Sequence, residues 1–256
     1  MSLADHLREL RNRLLICVAA VVVGGIVGWI QYQPLLLFLE RPLASLEGRN
    51  GWGQVGLNYQ GITTPFGLQL TVALWLGVIL ASPVWLYQLW AFIVPGLTKR
   101  EKRTAVAFIF AAVPLFFAGC ALANWVLPTA VRVLLEFTPE GQWNLIPAGQ
   151  YLAFVTRFIL AFGLAFLLPV FLVALNVAHV LPAHLMLKGW RIAVILNFVF
   201  AAMMTPTPDA WTMIALALPM CALYFAAYGV AWLIDRRRAK ARPEWADLGD
   251  DEASPL

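Results

Sequence analysis

The chain has 256 residues and carries 18 Lys and Arg against 14 Asp and Glu, a formal net charge of +4. Apolar residues make up 61% and charged residues only 12%, with a mean hydropathy of +0.77, whereas soluble domains run at roughly 45–50% apolar and about 25% charged. An ordinary soluble domain is thereby excluded in favour of an integral membrane protein, and nucleic-acid binding is disfavoured because the positive charges sit in short clusters between apolar runs.

In chain order, the first element is a charged helix. Leu3, Leu7, Leu10 and Leu14 recur at intervals of four, three and four, so they share one apolar stripe, and the other sides carry His6, Arg8, Glu9 and Arg11. Ser2 and Asp5 have the spacing of a capping box, which predicts a helix starting almost at the terminus and running into a first span over residues 14 to 30. That run is long and no small-x-small cleavage pattern follows it, so it is read as a retained span rather than a secretory signal. Residues 34 to 46 are interrupted by Glu40, Arg41 and Pro42 and predict an interfacial helix, followed by a Gly-rich loop.

A second span is expected over residues 68 to 93, kinked by Pro83, which removes a backbone donor. The basic turn Lys99-Arg100-Glu101-Lys102-Arg103 leads into a third span over residues 105 to 127, with Pro114 inside it and Pro128 expected to close it. After a return across the far surface, with room for a short helix before Pro139 and Gly141, the fourth span, residues 151 to 177, contains Arg157 and Pro169. The fifth, residues 192 to 204, has only thirteen residues, about 20 Å of helix against a hydrocarbon core of about 30 Å. Thr205-Pro206-Thr207-Pro208-Asp209 predicts a tight turn before a sixth span over residues 211 to 234, which contains Pro219.

The expectation is an all-α polytopic membrane protein with six transmembrane helices, kinked and forming a concave bundle: one domain over residues 1–238 and a disordered tail over 239–256. Lys and Arg cluster at the amino end, at 99–103, at Lys188 and Arg191, and after Asp235, whereas the opposite side has Arg41, Arg49 and Arg132. That asymmetry predicts both termini in the cytoplasm. Cys17, Cys120 and Cys221 fall inside apolar runs without metal-ligand spacing and read as small hydrophobes.

No His-Glu-x-x-His, Gly-x-Ser-x-Gly or P-loop occurs, so catalysis is not expected, and no cofactor or metal is implied. The candidates are the polar residues in or beside lipid: Glu9, Gln69, Gln88, Glu101, Arg157, Asn176, Asn197 and Asp209. Each has a plainer role open to it. Glu9 can pair with Arg13 four residues on, Glu101 can be a solvated ion pair, Asp209 can cap the last helix, Arg157 can snorkel outward, and Gln69 and Gln88 can bond between helices.

Several ordered motifs resemble one family, TatC, the multispanning receptor subunit of the twin-arginine protein translocase. They are His6-Leu7-Arg8-Glu9-Leu10-Arg11-Asn12-Arg13-Leu14, then Thr64-Pro65-Phe66, then the run from Ser82-Pro83-Val84-Trp85 through Gln88 to Pro95-Gly96-Leu97, with Ala161-Phe162-Gly163 and Pro169 in the fourth span and Thr205-Pro206-Thr207-Pro208-Asp209 after the fifth. The resemblance covers about residues 3 to 235. It implies a receptor that binds twin-arginine signal peptides of folded precursors at the cytosolic face of a bacterial or archaeal cytoplasmic membrane. It also implies single-span TatA- and TatB-type partners, a homo-oligomer within the complex, and export driven by the proton-motive force.

Glu9 and Glu101 match the family's principal signal-peptide contacts, and His6, Arg11, Arg13, Phe92 and Leu97 their surroundings. Pro65, Phe66, Pro83, Gln88, Met204, Pro206 and Asp209 match structural or partner-contact positions. One departure stands out: many relatives carry Glu or Gln two residues before the fourth-span proline, and this chain has Leu167. The alternative reading is a small secondary transporter using Arg157 and Asp209, which needs polar groups converging near the midplane.

Overall fold

Stretches of sustained apolarity become helices in the computed structural model, which describes residues 3–44, 55–93, 99–136, 138, 144–178, 180–204 and 210–240. The elements are α1 (Leu3–Ile30), α2 (Tyr32–Ala44), β1 (Val55–Asn58), α3 (Thr64–Leu80), α4 (Ser82–Ile93), α5 (Lys99–Leu135), β2 (Asn144–Pro147), α6 (Ala148–Ala165), α7 (Leu168–Val177), α8 (Ala183–Lys188), α9 (Trp190–Met204) and α10 (Ala210–Lys240). Six spans follow from these: α1, the bent pair α3–α4, α5, the pair α6–α7, the short α9, and α10.

Proline places the breaks. Pro83 has no N–H to continue the helix, and α3 and α4 meet at 58° across Ala81. The indole Nε1 of Trp85 donates to the Val78 carbonyl at 2.9 Å, satisfying an oxygen beside the break. Pro169 sits in the first turn of α7, after a tightened turn in which the Leu167 N–H bonds the Leu164 carbonyl at 3.1 Å.

Pro128 does not close its helix, contrary to expectation: α5 runs on to Leu135. Interior proline costs about 3 kcal/mol, but the turns around and beyond it bury Leu127, Ala130, Val131 and Leu135 against Leu39 and Leu43 of α2 and the face of α6. Burying several such side chains, each worth about 1.5–3 kcal/mol when large, outweighs the lost bond. The far surface also holds two strands that an all-helical reading omits. β1 and β2 pair in parallel, Val55 with Asn144 through Asn58 with Pro147, and four residues apiece are too few to show alternation in sequence. Finally, α10 continues to Lys240, two residues into the stretch expected to be tail; residues 241–256 lie outside the described residues.

Helix spacing is set by missing side chains. A Cβ at Gly77 on α3 would lie 2.5 Å from the Val21 carbonyl oxygen and 2.7 Å from the Gly25 nitrogen on α1, so the two backbones touch. Gly119 on α5 meets the Phe162 carbonyl of α6 in the same way, at 2.5 Å. Such contacts suit a bilayer, where no hydrophobic force pulls helices together and close packing must do so.

The principal core joins α2, α3, α5, α6, α9 and α10 around Phe158, Phe162, Leu127, Leu152 and Leu216. A second cluster surrounds the α3–α4 bend, with Leu86, Trp90, Phe108, Phe116 and Leu167. Between α2, α3, α5 and α6 lies a cavity of about 390 Å³, bordered by Trp75, Phe117, Cys120, Asn124 and Thr156. At the far surface, Tyr59 donates to Glu40 at 3.4 Å; partial burial, then the Glu40 carboxylate, push its phenol up to about 12, so it stays a donor at physiological pH.

Candidate functional site

The apolar stripe of α1 faces outward. Leu7, Leu10 and Leu14 are 57%, 42% and 60% exposed, and over residues 5–17 the half-buried residues are His6, Glu9, Arg13 and Cys17. Lipid explains this inversion: an outward leucine is well solvated there, whereas carboxylates and guanidinium groups gain most by turning toward one another.

The inward face meets α4. Arg13 donates to one oxygen of Glu9 twice, from Nε at 3.0 Å and from Nη2 at 2.5 Å, and its Nη1 donates to Gln88 Oε1 at 3.1 Å. The Glu9 and Arg13 side chains are 25% and 24% exposed. One turn earlier, the His6 ring stacks on Phe92 with centroids 4.6 Å apart and an interplanar angle of 23°. Five residues singled out in the sequence, His6, Glu9, Arg13, Gln88 and Phe92, thus form one continuous patch across two helices.

The other candidates separate from it. Arg11 is exposed and bonds its neighbour Asn12 at 3.2 and 3.3 Å. Pro65 starts α3, and Phe66 packs edge-on against Trp29 with centroids 5.8 Å apart. Pro83 makes the bend already described. Glu101 lies in the first turn of α5 and Met204 ends α9, while Leu97, Pro206 and Asp209 lie outside the described residues.

Leu167 is 2% exposed among Leu86, Trp90 and Phe116, so an apolar core fills that position. The polar residues that stand nearest in role are committed elsewhere. Gln88 holds Arg13, Asn176 is bonded to Asp235, and Arg157 borders an outer cleft of about 600 Å³ with Gln150, Phe154 and Met203. Among the described residues, no group of three or more His, Cys, Asp or Glu is arranged to hold a metal.

The model of the family described as Sec-independent protein translocase protein (TatC) matches residues 5–219. The chain belongs to the TatC family. It is 51% identical to the TatC protein of Xylanimonas cellulosilytica over 93% of this chain and 86% of that one, and 37% identical to the TatC protein of Rothia mucilaginosa over 99% and 86%. A crystal structure of the twin-arginine translocase receptor TatC superposes with a TM-score of 0.73 at 31% identity, over 90% of this chain and all of that one. TatC proteins are membrane translocase subunits and not enzymes, which sets aside the transporter alternative.

One polar cluster of this TatC chain is legible in the sequence only through Asn176. Asp235 near the end of α10 accepts from Asn176 Nδ2 at 3.1 Å with both oxygens and from the Ala183 N–H at 2.8 Å, and Arg238 donates to the carbonyls of Asn176 and Val177 at 3.1 and 3.0 Å. A basic side chain over the last carbonyls of α7 is a C-cap supplied from another helix. Only the folded chain brings together residues that are 59 positions apart. Asp235→Ala leaves buried donors unpaired and is expected to cost about 2 kcal/mol, read as a lower thermal midpoint in detergent; an unchanged midpoint refutes the role.

Proposed function

We propose that this chain is the receptor and core membrane subunit of a twin-arginine translocase, and that the α1–α4 patch receives one arginine of the signal peptide. Both termini then lie in the cytoplasm of a bacterial or archaeal cell, a placement that the Lys and Arg asymmetry supports. TatA- and TatB-type single-span subunits assemble on it, and export draws on the proton-motive force.

One observation carries this reading: Glu9, half-buried at the head of a span, already holds a guanidinium through two hydrogen bonds. A carboxylate that can grip one arginine so placed can grip another, since the planar fork matches a carboxylate in a way an ammonium does not. Glu101, carried by the helix that follows α4, is the matching acceptor for the second arginine. The fifteen residues of α9 span about 22 Å, and a helix that short thins the surrounding bilayer, which suits a platform that weakens the membrane where partners dock.

The test is binding of a labelled signal peptide to the full chain in detergent, with Arg-Arg and Lys-Lys versions. Glu9→Gln combined with Glu101→Gln is expected to lower Arg-Arg affinity about tenfold and abolish the preference over Lys-Lys. A double variant that keeps the wild-type preference overturns the assignment.

A further inference from the structure

Outside the α1–α4 patch, α5, α7 and α10 border a groove of about 460 Å³. Its walls are almost wholly apolar, including Phe108 and Leu115 of α5, Val170 of α7, and Ala226 and Val230 of α10. Trp90 also lines it, 3% exposed and stacked on Phe108 with centroids 4.3 Å apart.

Charge marks one end of the groove. Leu223, Ala227, Val230 and Ile234 follow one face of α10, and one helical turn further that face carries Arg237. Its neighbours are engaged, Arg236 over the Trp232 ring at 5.2 Å and Arg238 on the α7 carbonyls. Arg237 is exposed and has no partner among the described residues. Apolar walls and an exposed guanidinium one helical turn beyond them follow the order of an acyl chain and a phosphate.

We propose that this groove binds one anionic phospholipid, its acyl chain along α7 and α10 and its phosphate on Arg237. Charge complementarity selects the occupant: a zwitterionic lipid carries its own cation beside the phosphate and gains less from Arg237, and free phosphate leaves the groove unfilled. A second transmembrane helix fills the walls but brings no phosphate to Arg237.

Native mass spectrometry of the full chain in a maltoside detergent tests this, with dioleoyl phosphatidylglycerol, dioleoyl phosphatidylcholine or inorganic phosphate added. Phosphatidylglycerol is expected to be retained about fivefold better than phosphatidylcholine, the increment of one basic residue at a membrane surface, and phosphate is expected not to displace it. Arg237→Gln should bring phosphatidylglycerol down to the phosphatidylcholine level, Ala226→Phe should lower retention of both lipids, and Arg132→Gln at the opposite end should change nothing. Equal retention of the two lipids by the wild type, an undiminished preference in Arg237→Gln, displacement by phosphate, or an equal effect of Arg132→Gln overturns the proposal. Ala226 is exposed, so its replacement fills the groove without disturbing the core.

Discussion

Gly77→Val is expected to be among the most damaging single substitutions in the chain, costing about 3 kcal/mol or more and detaching α1. The added side chain would begin 2.5 Å from the Val21 oxygen and 2.7 Å from the Gly25 nitrogen, and helical backbone cannot yield as a flexible side chain does. α1 packs chiefly on α3 and α4, so moving it off α3 leaves little to hold it. Because Arg13 reaches Gln88 only while α1 lies against α4, the substitution also opens the arginine patch. Gly67 is the control: on the same helix, nothing lies within 4 Å of an added Cβ there, and Gly67→Ala is expected to be neutral or stabilising by about 0.4–1 kcal/mol. Thermal unfolding in detergent separates the two, and a Gly77→Val protein that melts with the wild type would refute the backbone-contact account.

That contact illustrates which features the sequence makes legible. The spans are legible because a run of apolar residues has few other places to go, and the Pro83 bend because proline lacks its donor whatever surrounds it. The partners of α1 are less legible. Gly24-x-x-x-Gly28 is visible in the sequence, but only the fold shows that it faces Gly77 and Ala73. The leucine stripe is visible too, yet its direction reverses with the solvent: in water Leu7, Leu10 and Leu14 would turn inward, and beside lipid they turn out. Pro128 breaks the local rule because burial of Leu127, Val131 and Leu135 depends on α2 and α6, which no window around residue 128 contains. Asp235 reads as the start of a solvated charge run, and becomes a cap only when α10 passes the end of α7. Of the site itself, Glu9 with Arg13 is legible from a spacing of four, whereas the bond to Gln88 crosses 75 positions and requires the fold.

The same triad predicts that Arg13→Gln tightens signal-peptide binding, provided Glu9 is the receptor carboxylate. In the wild type an incoming arginine must share Glu9 with Arg13 or displace it, so its gain is the difference between two similar charge-assisted bonds. Removing Arg13 makes that gain the whole bond, about 2 kcal/mol or about thirtyfold in Kd. The unpaired carboxylate destabilises the empty receptor, because the side chain is only 25% exposed at the head of a span. Arg13→Gln should therefore show a lower thermal midpoint without peptide and a larger rise on adding Arg-Arg peptide than the wild type shows. Arg13→Lys should fall between the two, since an ammonium pairs with Glu9 but lacks the fork that also reaches Gln88. Glu9→Gln combined with Arg13→Gln removes both the incumbent and its seat, and the gain should vanish. If Arg13→Gln instead binds Arg-Arg peptide as weakly as Glu9→Gln does, Arg13 positions the carboxylate rather than competing for it, and the exchange model is wrong.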